Sequence, residues 1–129
     1  MSAPSAPPNN PPPTLDFPKR VRLLRPSEFR KVYDHGDRFT CALFSAFTLR
    51  GQNEPRFGFT LPRAVGKSVV RNRIRRRLRE LVRLSRHRFP ADSWTVFNPR
   101  RAAEEAPLDR LRADLERLIG RLSKVTELP

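Results

Sequence analysis

Arginines recur through residues 66–80 at spacings that suit the grip of phosphate rather than the making or breaking of bonds. The segment reads Gly-Lys-Ser-Val-Val-Arg-Asn-Arg-Ile-Arg-Arg-Arg-Leu-Arg-Glu. A guanidinium group is planar, binds phosphate through paired donors and stacks on bases, whereas lysine acts mainly as a point charge. Nine arginines and a single acid, Glu80, lie between Arg71 and Arg88. Without counter-charge these groups repel one another, so their clustering points to a polyanionic partner, nucleic acid above all. A second set is aromatic: Phe29, Tyr33, Phe44 and Phe47. Single-strand binders stack unpaired bases on such rings, although pattern alone favours core packing for each of the four.

Catalytic chemistry has no comparable signal. Zinc-protease, Walker and nucleophile-elbow motifs and Cys/His metal spacings are all missing, and no acids form an obvious two-metal cluster. His35 and His87 each fall at an expected helix end, where solvent or the helix dipole accounts for them. A hydrolase acting through its own side chains is disfavoured.

The elements that must position these residues follow from periodicity. The basic segment forms an amphipathic helix over 68–88, ending before Pro90. Val70, Ile74, Leu78 and Leu81 make its apolar stripe, and Arg75, Arg76, Arg79, Arg83 and Arg86 project from the far side. Residues 25–36 form a short helix with Pro26 near its start and Gly36 supplying a left-handed C-terminal position. The span 39–49 alternates like a strand, with room for a further strand within it. A turn at 51–55 leads into a second strand over 56–61, and the two are expected to pair as a hairpin. Residues 94–97 are β-prone. A last helix covers about 108–122, with Leu108, Leu111, Leu115, Leu118, Ile119 and Leu122 along one side.

Composition bounds the rest. The 129 residues carry a net charge of +14 and a pI near 11.7, and suffice for one domain with a modest core. Only Lys19, Lys31, Lys67 and Lys124 are lysines among the 27 basic residues. The single cysteine, Cys41, excludes an internal disulfide and reads as a small buried hydrophobe. No apolar run approaches the ~20 residues of a membrane span, and no secretory signal is evident, so a cytoplasmic protein without membrane association is expected. Residues 1–18 hold seven of the fourteen prolines and one charge, Asp16, and are expected to be a disordered tail. The domain is expected over 19–124, with a short tail at 125–129.

The segment 66–80 resembles the RNR motif of the bacterial ribonuclease P protein family. Gly66, Val69, Arg71, Asn72, Arg73, Arg76 and Arg79 match it. The likeness continues through Arg22-Leu23, Glu28 to Tyr33 with His35-Gly36, Phe47-Thr48-Leu49 and Arg56-Phe57-Gly58. Lys67 and Ala64 depart from the usual pattern, with Arg63 keeping a base beside the latter.

That resemblance implies an α+β fold, an α/β sandwich of order α-β-β-β-α-β-α with a four-stranded sheet and a left-handed βαβ crossover. It implies a partner, ribonuclease P RNA, which carries the active site and its magnesium. Arg63, Lys67, Arg71, Asn72, Arg73, Arg75, Arg76 and Arg79 are expected to bind that RNA. Phe29, Tyr33 and Phe47 are expected to receive the single-stranded 5′ leader of precursor tRNA. No DNA partner and no protein-held metal are expected. The main rival is a non-catalytic ribosomal or general RNA-binding protein; a double-stranded DNA binder and a protein-only nuclease are further alternatives.

Overall fold

The computed structural model describes residues 19–127. The 1–18 segment, expected as a disordered tail, lies outside the described residues, as do positions 128 and 129. The main elements are α1 (Pro26–His35), β1 (Asp37–Thr40), β2 (Phe44–Leu49), β3 (Arg56–Phe59), α2 (Ser68–Ser85), β4 (Trp94–Pro99) and α3 (Leu108–Glu127). This is the α-β-β-β-α-β-α order that the resemblance implies. The sheet runs β1-β2-β4-β3. β2 is antiparallel to both its neighbours, while β3 and β4 lie parallel and are joined by α2.

The room for a further strand within 39–49 is used, whereas the expected hairpin needs correction. The span 39–49 is two strands, because the chain reverses at 41–43. There the Cys41 N–H donates to Phe44 O at 3.0 Å, and Thr40 then stands opposite Ser45. The spans 39–49 and 56–61 do not form a hairpin: β4 lies between β2 and β3. The turn after β2 is held by the chain entering β4 instead. Asp92 accepts from the Gly51 N–H at 2.9 Å and from Arg50 Nε at 2.8 Å, and the Arg56 N–H donates to Ser93 O at 3.1 Å. These bonds carry β3 one strand further across, and Val96 and Phe97 fill the slot with no exposure.

Gly36 also differs from expectation. Its backbone is extended (φ −86°, ψ 163°) rather than left-handed. The glycine is required by proximity, since a Cβ would stand 2.6 Å from Val32 O and 3.0 Å from Thr48 O. At the basic helix, α2 stops at Ser85, and Arg86–Arg88 tighten into a 3-10 turn. α3 runs past the expected end at 122, so 125–127 continue the helix and do not form a separate tail.

The sheet separates two cores. α2 and α3 cover one face, burying Val70, Ile74, Leu78 and Leu81 as the periodicity requires, together with Phe57, Phe97 and Leu118. Leu111, Leu115, Ile119 and Leu122 are buried there too, but Leu108 is exposed. Cys41 is buried as expected. α1 covers the other face over a smaller core of Leu23, Val32, Leu49 and Val96. One short helix cannot cover a whole sheet face, so Phe29, Tyr33, Phe47 and Trp94 pack at its margins only partly buried. Phe44, fully buried, belongs to the larger core and not to any cleft. Among the described residues, no helix is long and apolar enough to cross a membrane.

Candidate nucleic-acid interface

α1 is set in place by its first turn. Pro26 begins the helix, and Glu28 reaches back to accept from the Leu24 and Arg25 N–H groups at 3.0 and 3.1 Å. Glu28 also pairs with Arg56 at 3.1 Å, which ties the helix to β3. Burial pushes the Glu28 carboxyl up, but the two backbone donors and Arg56 outweigh it and leave its pKa below the usual value.

Beside α1 lies an open groove of about 640 Å³. Phe29 and Tyr33 line its helix side, and Phe59, Thr60, Leu61 and Pro62 line the other. Gly58 of β3 lies against the Phe29 ring, where a Cβ would stand 2.6 Å from it. Tyr33 is fixed at its hydroxyl, which donates to Asn98 Oδ1 at 2.8 Å and lies 2.9 Å from Thr60 Oγ1. A hydroxyl has one hydrogen and the carboxamide oxygen only accepts, so Thr60 is the donor in the second contact. Phe47 does not line the groove. Its ring meets Tyr33 edge-on at 5.0 Å, and Arg38 lies 5.8 Å over it. The structure thus brings Phe29 and Tyr33 together and sets Phe47 behind the latter.

The arginines of α2 are not one uniform belt. Arg77 is structural: its guanidinium donates to the Ala103, Glu104 and Ala106 carbonyls and so anchors the turn after β4. Arg73 pairs at 2.9 Å with Glu104 of that turn. Arg83 pairs with Glu80, whose pKa is lowered chiefly by that bond. On the opposite flank Arg75 donates to Asn72 Oδ1 at 2.9 Å and approaches Arg79. Arg76 and Asn72 face solvent.

The loop before α2 adds a basic corner. Gly66 has φ +156°, a conformation that favours glycine, and its carbonyl accepts from Arg71 Nε at 3.1 Å while Ser68 Oγ accepts from the same guanidinium. Arg63, Lys67, Arg71 and Arg101 surround one open depression there. No acid stands in the first turn of α2, so its N-terminal N–H groups add to the positive field. Arg63, Lys67 and Arg71 thus share the depression before α2, Arg75 and Arg79 stand together further along the helix, and Arg73 is drawn toward Glu104.

Several residues here escape a pattern-based reading. Arg77 sits one turn from Ile74 and Arg73, at the edge of the apolar stripe, and its helical angle was the available signal. Arg22 and Gly58 were marked only by the family resemblance and Glu104 by nothing, because their roles depend on neighbours distant in sequence. Among the acids, Asp114 is buried. Among the described residues no cluster of three or more His, Cys, Asp or Glu could hold a metal ion.

The family model described as Ribonuclease P matches residues 17–123. The chain belongs to the ribonuclease P protein family. It is 37% identical over 113 residues to the ribonuclease P protein component of Desulfovibrio desulfuricans, an alignment covering 84% of this chain and 87% of that one. The component from Acidothermus cellulolyticus is 37% identical over 111 residues, with 84% and 92% covered. Among solved structures, the RNase P protein of Thermotoga maritima superposes with a TM-score of 0.69 at 25% identity, over 78% of this chain and 96% of that chain. The Staphylococcus aureus protein shares the fold with a TM-score of 0.67 at 19% identity, over 83% and 95%.

Proposed function

We propose that this member of the family binds the catalytic RNA subunit of ribonuclease P through α2 and the loop before it, and the 5′ leader of precursor tRNA through the groove beside α1. It thereby promotes endonucleolytic 5′ maturation of tRNA in the cytoplasm. The observation that supports this best is the juxtaposition of two surfaces. Partly exposed Phe29 and Tyr33 line an open apolar groove, and an arginine helix lies beside it on a chain of net charge +14.

Each surface has a physical task. An RNA enzyme and an RNA substrate repel one another, and a strongly basic protein lowers that repulsion. Arg63, Lys67, Arg71, Asn72, Arg73, Arg75, Arg76 and Arg79 are assigned to RNA contact, with Arg73 having to exchange Glu104 for phosphate. Stacking on Phe29 and Tyr33 contributes about 1–3 kcal/mol per base and tolerates any base, which suits a subunit serving many leaders. Phe47 supports Tyr33 from behind.

Magnesium chemistry is assigned to the RNA subunit. Among the described residues no cluster of His, Cys, Asp or Glu fits the ion, and Glu80 and Glu104, the acids beside the basic helix, are paired with Arg83 and Arg73.

The test is 5′-leader cleavage by bacterial ribonuclease P RNA at low magnesium, with and without this protein. Stimulation that requires the RNA is the expected result. No stimulation by folded protein would favour a general RNA-binding role, and cleavage by the protein alone would overturn both readings.

A further inference from the structure

A second, narrower groove of about 190 Å³ opens at the end of the aromatic one. The two share Leu24, Phe29 and Phe59 as walls, so Phe29 stands between them. Arg22, Arg75 and Arg79 line the narrower groove, and no acid does. Arg22 comes from the segment before α1, which adds to the β3 edge through a parallel bridge to Phe57 and a 2.7 Å bond from the Leu23 N–H to Phe57 O. Its Nε is buried and makes no hydrogen bond within the protein.

Three guanidinium groups gathered from two elements around one groove set like charges against one another, and the buried Arg22 Nε adds the cost of an unsatisfied donor. Burial and the nearby charges of Arg22 and Arg75 hold Arg79 below the ordinary arginine value. An anion in the groove relieves both the repulsion and the unsatisfied donor. The apolar wall at Phe29 tells which anion: one whose phosphate is joined to a flat, stackable group. Aromatic platforms beside a positive groove are how single strands are held without regard to sequence.

We propose that Arg22, Arg75 and Arg79 form a backbone-phosphate site at the end of the aromatic groove, holding the sugar-phosphate chain of the same single strand whose bases stack on Phe29 and Tyr33. This rests on the leader-binding reading above and deepens it. It moves Arg75 and Arg79 from the RNA-subunit surface to the leader path, and adds Arg22, which lies outside the motif helix.

The test uses the holoenzyme reconstituted with ribonuclease P RNA, and compares wild type with Arg22→Gln. Affinity is measured for precursor tRNA with a long leader and for precursor whose leader is cut to its last nucleotide. Loss of a charged hydrogen-bonding partner predicts a roughly tenfold weaker long-leader complex, a shallower salt dependence, an unchanged short-leader complex and unchanged assembly with the RNA subunit. Arg22→Lys should restore part of the affinity. A single neutral methylphosphonate linkage in the leader, scanned position by position against wild-type protein, should reproduce the loss at one site without altering the protein. Equal losses for both leaders, weaker assembly with the RNA subunit, or no change in either measurement would each overturn the site. Absence of leader discrimination by wild type would instead refute the underlying leader reading.

Discussion

Alanine at Gly58, which lines the narrower groove, tests whether the strand beneath the ring sets the pose of Phe29. A Cβ there would stand 2.6 Å from Phe29 Cε1, 2.7 Å from Cζ and 3.2 Å from Leu23 Cβ. Carbon atoms rest at about 3.5–4.0 Å, so the ring must retreat by about 1 Å. Leu23 is buried and pinned through its N–H to Phe57 O, which leaves Phe29, at the rim, as the group that moves. Overpacking costs about 1–3 kcal/mol, and a movable ring places this case toward the lower end. A tilted Phe29 should also lose most of one stacking contribution, a roughly tenfold fall in leader affinity. Urea unfolding of wild type, Gly58→Ala, Phe29→Ala and the double variant gives the decisive comparison. Deleting the ring removes the clash, so a coupling of about 1 kcal/mol is expected. Additivity within a few tenths, with leader discrimination intact in Gly58→Ala, would refute the reasoning.

Other expectations follow from the same contacts. Arg77→Ala should destabilise the fold by about 2–4 kcal/mol in urea unfolding, because three carbonyls lose a charged donor, and Arg77→Lys should recover little of it. Glu104→Gln should release Arg73 and strengthen RNA-subunit binding at low salt, read by filter binding across a salt series. Arg71→Ala should weaken assembly with the RNA subunit and reduce the salt slope by about one unit for each lost phosphate contact; unchanged affinity would remove it from the interface. The depressed pKa of Glu28 implies stability that is present above its unfolded value of 4.5 and lost as pH falls through its lower folded value. Urea midpoints between pH 6 and 3 should therefore fall less steeply in Glu28→Gln than in wild type.

Much of this protein was legible from periodicity and motif. The stripe of Val70, Ile74, Leu78 and Leu81 placed α2 against a core, because a helix repeats its faces every few residues. Arginine density announced a polyanion, because charge without local neutralisation needs a partner. The resemblance carried by Arg71, Asn72 and Arg73 supplied the family and the order of elements. What local pattern could not supply was pairing. A strand's alternation says which face is apolar and nothing about its neighbour, so the expected hairpin between β2 and β3 gave way to β4, drawn in by Asp92 and Ser93. Gly36 and Gly58 are each required by packing that no local pattern shows: a Cβ at Gly36 would meet the Val32 and Thr48 carbonyls, and one at Gly58 the Phe29 ring. The arginines themselves divide by tertiary contact. Arg77 became a structural clamp, Arg73 acquired Glu104, and Arg22 joined Arg75 and Arg79 from about fifty residues away in sequence. The sequence by itself determined that the protein is basic, amphipathic and built of these elements, since those properties are local sums. Only the tertiary structure decided which charges are paired within the fold and which stay exposed, because that depends on atoms brought together through space.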